Sequence, residues 1–160
     1  MRSYLPARVS FVAASLALAS CGQLISGYSL QAYSNATTLK ADVASLVDDS
    51  TGPYADHTAD IKSVNLKLHE AYEFSRGEAY NALSTQQWEI LIEPAPQGRL
   101  YGAFLQSWMR HGKLNETEAG NWKTLLDRAF DYIICLEANK QSATACRAPE
   151  ALPGQKPGAS

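Results

Sequence analysis

The chain has 160 residues, of which 46% are hydrophobic and 19% charged, with a formal net charge of −2. This is the length of one domain, and the composition excludes an intrinsically disordered chain. Setting aside Arg2 and Arg8 leaves 12 basic residues against 16 acidic ones, a net charge of −4 that excludes the basic footprint of a nucleic-acid-binding domain.

The first element is a targeting segment over residues 1–20. Arg2 and Arg8 make a positive start, and Val9 to Leu18, VSFVAASLAL, is a ten-residue apolar run. As a helix this run spans only about 15 Å, half of a bilayer core, so it reads as the apolar region of a signal peptide and not as an anchor. After Cys21 no apolar run is long enough to predict a membrane-spanning helix. Small residues Ala19 and Ser20 lead into Cys21.

Leu18-Ala19-Ser20-Cys21 resembles the lipobox of bacterial lipoproteins. The resemblance covers about 21 residues and implies that the Cys21 thiol receives a diacylglyceryl group. Cleavage before Cys21 and acylation of its new amino group follow in that family. A single acyl chain holds a protein only reversibly, at about 0.8 kcal/mol per buried methylene, whereas two or three hold it durably. The implied location is the bacterial cell envelope, with the domain facing the periplasm. Gly22 stands where an aspartate would favour inner-membrane retention in enteric-type sorting, which points to the outer membrane over the inner. Residues 22–28 reach at most about 25 Å, so the domain is expected close to the bilayer.

Helical periodicity dominates the mature chain. The first segment, Ser29 to Asp49, places Leu30, Tyr33, Leu39, Val43, Leu46 and Val47 mostly on one face. DDSTGP, Asp48 to Pro53, breaks it, with Pro53 suited to open the next helix. Tyr54 to Arg76 carries an apolar stripe from Ile61 to Ser75, with Lys62, Lys67, Glu70 and Glu73 facing water. The short link predicts an antiparallel hairpin.

A third helix is expected from Ser84 to Ile92, with Ser84 and Gln87 as a capping box. EPAPQG, Glu93 to Gly98, ends it. Arg99 to His111 forms the fourth, carrying Leu100, Phe104, Leu105, Trp108 and Met109, with Gly112 just past its end. Asn115 and Glu118 cap the last helix, with Leu114 and Ala119 as its hydrophobic staple. That helix runs to about Asn139, with Trp122, Leu125, Leu126, Ala129, Phe130, Ile133 and Leu136 inward. The expected fold is therefore all-α, one bundle of four to five helices over residues 29–146, behind a linker over 21–28. A Pro- and Gly-rich tail over 147–160 is expected to be disordered.

If Cys21 is lipidated, Cys135 and Cys146 remain. In an oxidising compartment such a leftover pair is expected to form a disulfide, and the residues after the helix end near Lys140 easily span the return. The spacing is not that of a Cys-x-x-Cys redox or metal pair.

Chemistry-bearing motifs are sparse, and no catalytic residue, metal or cofactor is expected. His69, Glu70 and Glu73 spell HExxE, but a zinc helix needs a second histidine where Glu73 stands. His57 lies between Asp56 and Asp60 in a polar first turn, and His111 suits a helix C-terminus without further explanation. Aromatic residues concentrate in the C-terminal half. At helical spacing these are ordinarily core; as a contact surface, the candidates are Trp88, Tyr101, Phe104 and Trp108.

The mature part resembles small helical bacterial lipoproteins, without a motif that supplies an active site. The expected function is non-catalytic: protein–protein interaction or scaffolding with an envelope protein at the membrane. The alternative is a small ligand or metal held in an aromatic-lined pocket.

Overall fold

The computed structural model describes residues 27–92, 100–140 and 142–147. The segment expected to be a signal peptide, Cys21, the Glu93–Gly98 stretch expected to end the third helix and the tail beyond Arg147 lie outside the described residues. The described residues are all-α. Five α-helices form among them: α1 (Leu30–Asp49), α2 (Thr58–Gly77), α3 (Ala82–Ile92), α4 (Leu100–His111) and α5 (Glu116–Ala138). Short 3₁₀ turns occur at Tyr54–His57 and Ala143–Ala145.

Helices α1, α2, α3 and α5 pack in a ring, each against the next, and α4 covers α3 and α5. Side-chain bonds fix the directions. Lys67 of α2 meets Asp42 of α1 at 2.8 Å, and Lys40 and Lys123 tie α1 to α5 through Asp131 at 2.6 Å and Asp48 at 2.7 Å. Tyr72 of α2 donates to Glu89 of α3 at 3.1 Å, and Trp88 of α3 packs edge-on against Phe130 of α5. Paired positions run in opposite senses along each interface: Lys40–Asp131 and Asp48–Lys123 between α1 and α5, Tyr72–Glu89 and Ser75–Thr85 between α2 and α3, and Trp88–Phe130 and Ser84–Glu137 between α3 and α5. The start of α1 and the end of α2 line one cleft, so all four neighbouring pairs of the ring are antiparallel. One end of the bundle thus gathers the start of α1, the end of α2, the start of α3 and the end of α5.

The apolar stripes become the core. Leu39, Val43, Leu46 and Val47 of α1 meet Ile61, Val64 and Leu68 of α2 and Leu126, Phe130 and Ile133 of α5. Ser29 caps α1 through its hydroxyl, 3.2 Å from the Ala32 amide. Leu30 is exposed and Tyr33 only half-buried, because the inward stripe of α1 runs through Ala32, Ala36, Leu39 and Val43 and leaves positions 30 and 33 off that face. Pro53 precedes a 3₁₀ turn, so the α-helix begins at Thr58. Met109, expected with the apolar set of α4, points to solvent.

The opposite end is closed by stitching two turns together. Leu114 N–H donates to Ser50 O at 2.8 Å, Tyr54 N–H to Gly112 O at 2.7 Å, and the Trp108 indole to Gly52 O at 3.0 Å. Gly112 has φ 75°, the left-handed conformation that a helix-ending glycine supplies. The capping box at α5 forms as the spacing predicts, with Asn115 accepting from the Glu118 amide at 2.9 Å and Glu118 accepting from the Asn115 amide at 3.2 Å.

The capping box expected at Ser84 does not form. Helix α3 begins two residues earlier, at Ala82, so Ser84 lies inside it and faces inward.

Cys135 and Cys146 are joined by a disulfide, with Cα atoms 5.8 Å apart and a sequence separation of 11. Closing a loop of this size stabilises the fold by about 3 kcal/mol in the chain-entropy model. Reduction should lower the urea midpoint accordingly, and Cys135→Ser with Cys146→Ser should reproduce the loss. Alkylation of both cysteines without prior reduction would contradict the bridge.

Candidate functional site

The four aromatic residues offered as a contact surface are in the core. Trp88, Tyr101, Phe104 and Trp108 are all 3% exposed or less. Phe104 sits at the centre, with ring centroids 6.2 Å from Tyr101, 5.9 Å from Trp108 and 6.1 Å from Trp122. Trp108 also meets Tyr54 edge-on at 5.3 Å. The reason is geometric: residues 101, 104 and 108 repeat at three and four, so they share the one stripe that α4 turns towards α3 and α5. A contact surface made of these side chains is ruled out by their burial. Burial, followed by the neighbouring Tyr54, holds the Tyr101 hydroxyl well above the usual tyrosine range, and it has no hydrogen-bond partner among the described residues.

The histidine motifs hold structural positions. His69, Glu70 and Glu73 are exposed on α2, and Glu73 pairs with Arg76 at 2.6 Å. The His57 ring lies tilted against Trp108 with centroids 5.4 Å apart, and its Nδ1 is 3.9 Å from Asp49 and 3.8 Å from Asp60. Among the described residues no three His, Cys, Asp or Glu side chains are grouped to hold a metal ion.

A polar network at the α1-start end, which no sequence motif marks, is the most unusual feature of the interior. Glu137 is fully buried and Lys140 nearly so. Lys140 Nζ lies 2.7 Å from Glu137 Oε2, an ion pair without the alignment of a hydrogen bond. Ser84 donates its hydroxyl to Glu137 Oε1, and Lys140 donates to Asn81 Oδ1. Asn81 Nδ2 in turn donates to Ser75 O at 3.0 Å and Ser75 Oγ at 2.9 Å, and the Ser75 and Thr85 hydroxyls are 3.2 Å apart. The chain of bonds joins α2, the α2–α3 turn, α3 and α5 beside the disulfide. A signal was present: 126, 130, 133 and 137 continue one inward stripe of α5, so an acid at 137 was aimed at the core, with a base three residues on in the turn that follows the helix.

Tyr80, next to Asn81, has φ 58°, a conformation rare for a bulky residue, and its ring is exposed. A half-open cleft of about 480 Å³ lies between α1 and α2, with Gln31, Asn35, Thr38, Lys67, Glu70 and Phe74 on its walls. None of the four buried aromatic residues lines it. No helix of the described residues is long and apolar enough to cross a membrane.

Comparison with protein-family models, with curated proteins and with solved structures finds no match to this chain.

Proposed function

We propose that this chain is a lipid-anchored protein of the bacterial envelope, attached through Cys21. In this reading its helical domain faces the periplasm and acts by protein–protein interaction or scaffolding, without catalysis. The observation that carries the reading is the Leu18-Ala19-Ser20-Cys21 motif behind a charged start and a short apolar run. Two structural features support it. The disulfide suits an oxidising compartment. The residues closest to a catalytic or metal motif already have structural partners: Glu73 is paired with Arg76, and His57 is packed on Trp108.

The interaction surface belongs on the exposed helix faces, since the large aromatic residues of α3 and α4 are committed to the core. Metabolic labelling with a clickable fatty acid tests the anchor. Wild type should take up label and fractionate with membranes, and Cys21→Ala should lose both. Equal labelling of the two would overturn the reading. Crosslinking in whole cells with mass spectrometry then identifies the partner.

A further inference from the structure

Seven large apolar side chains are exposed among the described residues, and five of them lie at one end of the bundle. Tyr28 and Leu30 stand at the start of α1, Phe74 near the end of α2, Tyr80 in the α2–α3 turn and Leu83 in the first turn of α3; their exposures run from 37% to 69%. The antiparallel ring brings these segments together. The other two are elsewhere: Leu66 at the middle of α2 and Met109 near the end of α4, at the opposite end. Charge is distributed in the opposite sense. No Asp, Glu, Lys, Arg or His occurs from Cys21 to Leu39. The far end carries Asp48, Asp49, Asp56, Asp60, Glu116 and Glu118 beside Arg110 and Lys113. The apolar end carries fewer acids: Glu70, Glu78 and Glu73, the last paired with Arg76, and Arg147 follows the disulfide.

We propose that this apolar end is seated on the lipid bilayer itself, with Tyr28, Leu30, Phe74, Tyr80 and Leu83 entering the headgroup region. The inference rests on lipidation of Cys21 and adds the orientation of the domain and the side chains that hold it. The tether decides the occupant. Residues 22–27 place Cys21 within about 25 Å of Tyr28 even when fully extended. A 20-residue helix such as α1 is about 30 Å long, so the acidic far end lies beyond the tether's reach when the bundle stands upright. Aromatic side chains with a polar tip suit the boundary between water and hydrocarbon, as Tyr28 and Tyr80 would. Arg147 adds a positive charge where anionic headgroups attract one. The strained backbone at Tyr80 directs a large ring outward at this end, held in place by Asn81 and the buried network behind it.

The test uses the full acylated protein in phosphatidylethanolamine/phosphatidylglycerol vesicles that contain a headgroup-nitroxide lipid. Acylation consumes the Cys21 thiol and the disulfide consumes the other two, so Leu30→Cys, Leu83→Cys, Leu66→Cys and Met109→Cys each offer one thiol for an environment-sensitive dye. Dyes at 30 and 83 should shift to the blue and lose intensity to the nitroxide, while dyes at 66 and 109 should do neither. Equal behaviour at all four positions, or stronger quenching at 66 or 109, overturns the seating. The acyl mass on Cys21 is measured on the same samples. Acylated protein without quenching at 30 and 83 refutes the seating alone, whereas absence of the acyl mass refutes the anchor and the seating together.

Discussion

Replacing Glu137 by alanine should cost the domain about 3–5 kcal/mol, the usual effect of removing one partner of a buried ion pair. Glu137 is fully buried and the Lys140 side chain is 5% exposed, so solvent screening does little to soften the loss. The substitution strands the Lys140 ammonium in the interior and takes away the acceptor of the Ser84 hydroxyl. The double variant Glu137→Leu, Lys140→Met should recover part of the loss, because two charges no longer need desolvating. Recovery should be incomplete: Ser84 and Asn81 Oδ1 remain without partners, at about 1–3 kcal/mol for each buried group left unsatisfied. Urea unfolding followed by tryptophan fluorescence measures both. A Glu137→Ala variant within 1 kcal/mol of wild type would contradict the network.

Trp108→Ala should also cost about 3–5 kcal/mol, the range for deleting a buried large aromatic side chain. Trp108 is fully buried, packs on Phe104 and Tyr54, and its indole N–H bonds Gly52 O across the joint between the α1–α2 and α4–α5 turns. Trp108→Phe should keep most of the packing and lose mainly the hydrogen bond, about 1 kcal/mol. The pair of variants separates a core residue from a contact residue. A contact residue would lose its partner with the midpoint unchanged; a core residue loses stability first.

The helices were legible because their signals are local. The stripe in α1 from Leu39 to Val47, the Asn115–Glu118 box and the turn at Gly112 are each decided within a few residues, and each stands where the sequence predicts it. The aromatic cluster was legible as a cluster and misread as a surface. Spacing shows that Tyr101, Phe104 and Trp108 share a face, but which neighbours cover that face depends on how α3 and α5 pack. Ser84 illustrates the same limit. Its local sequence suits a cap, and a buried carboxylate 53 positions away gives its hydroxyl a different role. The patch at the start of α1 was hidden for a related reason: Leu30 looked like core, and Phe74, Tyr80 and Leu83 come together with it only once the ring of helices closes.

These features separate two ends of one small bundle. At one, acidic residues are fewer, apolar side chains are exposed, and a buried ion pair and a disulfide brace the helix termini. At the other, acidic residues surround two stitched turns.

Attachment through Cys21 is the claim on which both the proposed function and the orientation depend. It is tested most directly by the mass of the N-terminal peptide of the protein isolated from cell envelopes. The account predicts a peptide that begins at Cys21 and carries a diacylglyceryl group on its sulfur. A peptide that continues through Ser20, or one that carries Cys21 with an unmodified thiol, would contradict it.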